Sequence, residues 1–191
     1  MENLKELLVE ELKDIYSAEK QIVKALPKIV RGVKSPELKT AIQEHLEVTK
    51  GQVARLEEVF SQLEEKPKAK HCKGMEGLLA EGADTLDEEA AGTLRDLQLI
   101  GAAQRVEHYE VAAYGTAKAI AEKLDLSEVA DLLNQTLEEE AEADRKLSDV
   151  AESLYAEVSM GNEEDMEGED MDEEEEDEED AEEAPAPARR R

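Results

Sequence analysis

Residues 8–26 read LVEELKDIYSAEKQIVKAL, and the spacing within this stretch decides the fold. Leu8, Leu12, Ile15, Ile22 and Leu26 recur by threes and fours, the period of one helix face. Counting roughly 100° per residue, Glu19 falls at the centre of that apolar stripe. A buried carboxylate is costly unless it is paired or coordinates a metal. The same interruption returns downstream. Glu110 lies near the middle of a second apolar face, with Glu107 one turn back, and Glu140 sits between Leu137 and Leu147 on a third. Asp144 follows one turn beyond Glu140. Carboxylates aimed inward from three helices predict a cluster built to hold cations.

Outward from that stretch, the chain reads as long helices. Asn3 is a good N-cap and Glu6 is placed to reach back to it, so the first helix spans about 3–32, bent at Pro27. Ser35 followed by Pro36 caps and opens a second helix, with Leu38, Ile42, Leu46, Val53, Leu56 and Phe60 on its stripe. A basic loop over 66–74 precedes a short helix at about 75–86, marked by Met75, Leu78, Leu79 and Leu86. A third long helix runs from Thr93 to about Lys123, and Ser127 caps a fourth that carries Val129, Leu133, Leu137, Leu147 and Leu154. No strand pattern of any length is present. The expected fold is all-α, an antiparallel four-helix bundle with a short crossover helix.

Charge divides the chain. The 191 residues carry a net charge of −28, half of it in residues 161–191, which hold 17 acidic residues and three arginines. The expected organisation is a folded bundle over 1–160 and a disordered acidic tail over 161–191, since the tail has no periodic apolar residues to bury. The plain reading of the tail is a solubilising extension. The sharper reading is a lure for cations or a grip on basic partners. The bundle is itself acidic, which argues against a nucleic-acid partner. Cys72 is the only cysteine, so no internal disulfide forms and a reducing cytoplasm is the default. No signal segment and no long uncharged apolar run is seen, so the expectation is a soluble protein without a membrane partner.

The second helix offers no central carboxylate. His45, Thr49 and Gln52 follow its seam, while Glu44 and Glu47 point aside. Fe(II) or Mn(II) accepts carboxylate oxygens together with one or two imidazoles. Two such ions need bridging carboxylates, which facing helices can supply. The candidate metal residues are therefore Glu19, His45, Glu107, Glu110, Glu140 and Asp144. His45 also reads as a core histidine, and Asp144 as a partner for neighbouring basic groups. His108 falls on the polar face; Tyr109 and Tyr114 read as packing residues before redox-adjacent tyrosines, and Cys72 as a structural loop residue before a soft-metal ligand beside His71 and Met75.

Several segments together resemble a known family. They are Asp14 to Gln21, His45 to Gln52, Cys72 to Leu78, Gln104 to Glu110 and Thr136 to Glu140, with the run from Ala103 through Tyr114 the most specific. In this order they look like the YciE/YciF-type branch of the ferritin-like superfamily. The resemblance implies a ferritin-like bundle, usually a homodimer, from a bacterial stress-response group. It also implies two Fe or Mn ions inside the bundle and chemistry with oxygen or peroxide. Glu19 matches the family's first-helix glutamate, and Glu107 with Glu110 resembles the paired glutamates of rubrerythrin's third helix. Glu107, Glu110 and Glu140 would hold and bridge the ions, Glu19 would be a terminal ligand, and Gln52 a hydrogen-bonding support. Val48 and Ala143 stand where the superfamily's Glu-x-x-His pattern calls for ligands. They favour the alternative, a metal-free helical-bundle dimer that acts as a stress-related interaction protein.

Overall fold

The computed structural model describes residues 3–87 and 92–176, with side chains over 3–86 and 92–159. Five helices follow one another: α1 Leu4–Gly32, α2 Pro36–Gln62, α3 Lys73–Asp87, α4 Gly92–Lys123 and α5 Ser127–Glu176. No strand occurs among the described residues.

Local chemistry sets the ends. The Asn3 side chain accepts the Glu6 N–H at 2.9 Å, and the Ser35 hydroxyl accepts the Leu38 N–H at 3.2 Å. Each satisfies one of the donors that a helix start leaves orphaned. Pro36 occupies the first turn of α2, where its missing N–H costs nothing. The far ends of α2 and α4 close alike. Glu64 and Asp125 take left-handed φ values of 58° and 56°. The next N–H then reaches back to an orphaned carbonyl, Glu65 to Phe60 at 2.9 Å and Leu126 to Ala121 at 3.0 Å.

Packing is antiparallel between neighbours. Asp14 with Tyr109 and Lys34 with Asp96 pair opposite ends of α1 and α4, and Gln52 with Glu140 and Arg55 with Thr136 do so for α2 and α5. This order makes α4 run parallel to α2. The chain must therefore travel back along the bundle between them, and residues 64–72 with α3 make that return against α1 and α4. The architecture is the four-helix bundle with a crossover helix that the apolar periods predict.

Two apolar layers occupy the two ends. Leu8, Leu12, Phe60, Tyr114 and Leu133 build one, and Val33, Leu38, Ile42, Leu99 and Leu154 the other. Each fully buried leucine contributes roughly 1.5–3 kcal/mol. A smaller cluster under α3 joins Ala18, Ile22, Cys72, Met75 and Val106. The polar residues discussed below lie between the layers, where solid apolar packing on either side fixes their helices in place.

The last helix, α5, continues through Glu176. Glu is among the strong helix formers, so an acidic run prolongs a helix already nucleated by packing. Residues 177–191, the remainder of the expected acidic tail, lie outside the described residues.

Candidate metal centre

The site assembles from four helices because each presents one apolar stripe to the axis and each stripe carries polar residues at the same height. Glu19 comes from α1, His45 and Gln52 from α2, Glu107 and Glu110 from α4, and Glu140 from α5. Glu19, Gln52 and Glu140 are fully buried, and Glu110 is 1 % exposed. One ligand atom each from His45, Glu107, Glu110 and Glu140 lies within 4.8 Å of the others. Metal–oxygen bonds of about 2.1 Å put opposite ligands about 4.2 Å apart around an octahedral ion, so this spacing needs only a small contraction to close on a cation.

Hydrogen bonding leaves the group incomplete. Tyr114 donates its hydroxyl to Glu19 Oε1, but Glu19 Oε2 has no hydrogen-bond partner. Gln52 Nε2 donates to Glu140 Oε1 and, at 3.2 Å, to Glu139 Oε2. Glu140 Oε2, Glu107 Oε2 and both oxygens of Glu110 have none. His45 Nε2 is 3.4 Å from Glu107 Oε1 without hydrogen-bond geometry. Buried polar atoms are normally satisfied. So many orphaned acceptors in one place match what a coordinated cation would satisfy.

Electrostatics points the same way. Burial pushes the carboxyls of Glu19, Glu107 and Glu110 well above the ordinary glutamate range, and the charges of neighbouring carboxylates push them further. Glu140 is raised chiefly by burial and held back first by a hydrogen bond from the Glu107 carboxyl, which raises Glu107 in turn, and then by the Gln52 amide. Burial lowers His45 to about 4, so its imidazole is neutral near pH 7 and keeps a lone pair for a metal. A cation among these groups reverses the cost of ionising them.

A second ring of contacts orients these side chains. Arg55 grips Glu139 through both terminal nitrogens at 2.8 Å and donates to Thr136 Oγ1 at 2.6 Å. Glu139 in turn accepts from Gln52, which fixes the amide against Glu140. Sequence reasoning gave Gln52 this supporting place but missed Arg55 and Tyr114. The signal for Tyr114 was its position one turn after Glu110, on the same face of α4.

Two candidates stand outside the four whose ligand atoms converge: Glu19, buried beside Glu140, and Asp144. Asp144 accepts from Gln104 Nε2 at 3.0 Å and lies 3.3 Å from His108 Nε2, a side chain that is 72 % exposed. The structure therefore places Asp144 with outer residues of α4, outside the group formed by His45, Glu107, Glu110 and Glu140. Tyr109 and Cys72 form a separate chain: the tyrosine donates to Asp14 at 2.9 Å, and its oxygen lies 3.0 Å from Cys72 Sγ. Val48 and Ala143 point to neither ring. They line an apolar cleft of about 430 Å³ that His45 and Glu107 also border.

Comparison with known proteins follows this geometry. A family model described as a domain of unknown function (DUF892) matches residues 3–159. The Escherichia coli (strain K12) protein YciF is 42 % identical over 152 residues, which cover 79 % of this chain and 92 % of that protein. The crystal structure of the E. coli stress protein YciF superimposes with a TM-score of 0.79 at 40 % identity, covering 82 % of this chain and 99 % of that chain. A Rhodopseudomonas palustris protein, provisionally described as structural, gives 0.75 at 40 % identity over 77 % and 94 % of the two chains. A ferritin-like diiron-carboxylate protein from Bacillus anthracis gives 0.62 at 16 % identity over 79 % and 99 %. This last likeness is one of fold.

Proposed function

This chain belongs to the DUF892 family, related to the stress protein YciF and built on a ferritin-like bundle, and we propose that its carboxylate cage is a dinuclear Fe or Mn centre for redox chemistry with oxygen or peroxide. The observation that carries the proposal is the set of orphaned acceptors: the free oxygens of Glu19, Glu107, Glu110 and Glu140, with the unpartnered His45 Nε2. Glu107, Glu110 and Glu140 would hold the ions, and Glu19 and His45 would complete the set of residues around them.

A bound pair of such ions would supply electrons to an oxidant. The chain's own residues have separate tasks. Tyr114 keeps Glu19 oriented by its hydroxyl, and Gln52 holds Glu140 while Arg55 and Glu139 hold Gln52. The two apolar layers exclude bulk water from both ends of the cage.

Metal analysis tests the proposal. Purified protein reconstituted with Fe(II) or Mn(II) should retain about two ions per chain after desalting. Retention of none rejects the centre. Oxidation of bound Fe(II) on adding oxygen or peroxide, followed by absorbance, then reads the chemistry.

Val48 and Ala143 favour a second reading, a metal-free bundle dimer that acts as an interaction protein, because two expected ligand positions are apolar. Loss of metal on desalting with retained fold would select it. A homodimer and residence in the cytoplasm belong to both readings, and light scattering of the purified protein tests the dimer. No helix among the described residues is long and apolar enough to cross a membrane.

A further inference from the structure

We infer that the cleft between α2 and α5 binds a neutral, largely apolar organic molecule, which lies against the carboxylate cage from the side. Its volume of about 430 Å³ falls in the range of small-molecule pockets, roughly 300–1,000 Å³. The walls come from every helix, with Ile22 and Leu26 of α1, Leu78 of α3, Val106 of α4 and Leu147 of α5 among them. Walls from five helices make a half-open recess in the bundle.

Side-chain size explains why the recess exists. Val48 on α2 and Ala143 on α5 border it, and both are short. A longer side chain at either position would take up that space. The sequence change that removes two expected ligands therefore opens apolar room beside His45 and Glu107.

Charge selects the occupant. Of the four acids that border the cleft, Glu44 pairs with Lys146, Glu139 with Arg55 and Glu142 with Arg145, which leaves Glu138 without a cation. A carboxylate or phosphate head group would meet net repulsion there. Inside, apart from His45 and Glu107, whose ligand atoms gather with those of Glu110 and Glu140, the apolar walls offer an organic cation no partner to replace its lost water. A neutral apolar molecule gains from burial and meets neither penalty.

This inference deepens the metal-centre proposal and rests on it for the ligand's role as substrate. Binding itself needs only the bundle.

Fluorescence titration of the full-length chain, with and without Mn(II), tests it. Neutral N-phenylnaphthylamine should bind saturably at one site per chain with blue-shifted emission. Anionic anilinonaphthalene sulfonate should bind about tenfold more weakly or worse. Ala143→Leu and Ala103→Leu, which fill the cleft without touching the cage, should each weaken the neutral probe by about tenfold, or 1.4 kcal/mol, with helix content and unfolding midpoint unchanged. Non-saturable binding, or equal binding by wild type and both variants, overturns the inference. So does a change of oligomeric state on Ala143→Leu with probe affinity intact, which would assign the cleft to a second copy. Probe binding without metal uptake sustains the pocket and removes the metal centre. Metal uptake without probe binding does the reverse.

Discussion

Glu110 carries the strongest local conflict in the molecule, with both carboxylate oxygens buried and neither hydrogen-bonded. In the metal-free protein its burial beside Glu19, Glu140 and Glu107 opposes ionisation. Glu110→Gln removes that titrating group and should raise metal-free stability near neutral pH. The same substitution should lower retained metal by at least one ion per chain. Urea unfolding and metal analysis read the two effects on one sample. Unchanged metal content would remove Glu110 from the ligand set. Tyr114→Phe should act differently, because it takes a donor from buried Glu19 and leaves the cage charge unchanged. A loss of about 1–3 kcal/mol in the metal-free form is expected, measured by the same urea unfolding. The sequence showed Glu19, Glu107, Glu110 and Glu140 as misfits on apolar faces. It did not show Tyr114 or Arg55 as their supports, since an aromatic in a stripe and an arginine beside one look ordinary until the facing helix is known.

At the scale of elements, the α1–α2 hairpin is held by a residue from a third helix. Asp96 of α4, 1 % exposed, accepts the backbone N–H groups of Lys34 and Ser35, the Lys34 N–H lying 3.1 Å from each oxygen. It thereby satisfies the connecting turn and pins the start of α4 to it. Asp96→Ala leaves those N–H groups without a partner and should cost about 2–3 kcal/mol, the scale of hydrogen bonds to a charged group. Thermal unfolding checks this. Helix content should be unchanged, because the Ser35 cap on Leu38 persists. The helices themselves were legible from the apolar periods and from the caps Asn3 and Ser35. Asp96 was not, because a single carboxylate just past the first turn of a helix reads as a solvated group rather than as a clasp on a turn between two other helices.

Across the whole molecule, the buried carboxyls link stability to pH. Their folded-state values lie above the unfolded value of 4.5, so the folded metal-free protein holds more protons than the unfolded chain above that pH. Their stabilising share is complete below 4.5 and is lost as pH rises through the raised values. His45 acts oppositely, since its share is complete above 6.5 and is lost as pH falls toward about 4. Above 6.5 only the carboxyl effect operates among these groups, and the metal-free unfolding temperature should fall from pH 6.5 upward. With metal bound the trend should reverse, because the ligands must be deprotonated to coordinate. Parallel thermal melts with chelator and with Mn(II) decide this. Identical pH trends would mean that no ion occupies the cage.

Periodicity and charge alone determined the all-α bundle, the crossover and the buried carboxylates, because these follow from the 3.6-residue repeat and from the short-range chemistry of caps. Only the tertiary structure decided which polar residues meet. Whether Asp144 turns toward the cage or toward Gln104 and His108 depends on the rotation of α5 against α4. Whether Val48 and Ala143 border a recess depends on the separation of α2 from α5. Helix rotation and separation are set by packing between side chains far apart in sequence, which no single stretch encodes.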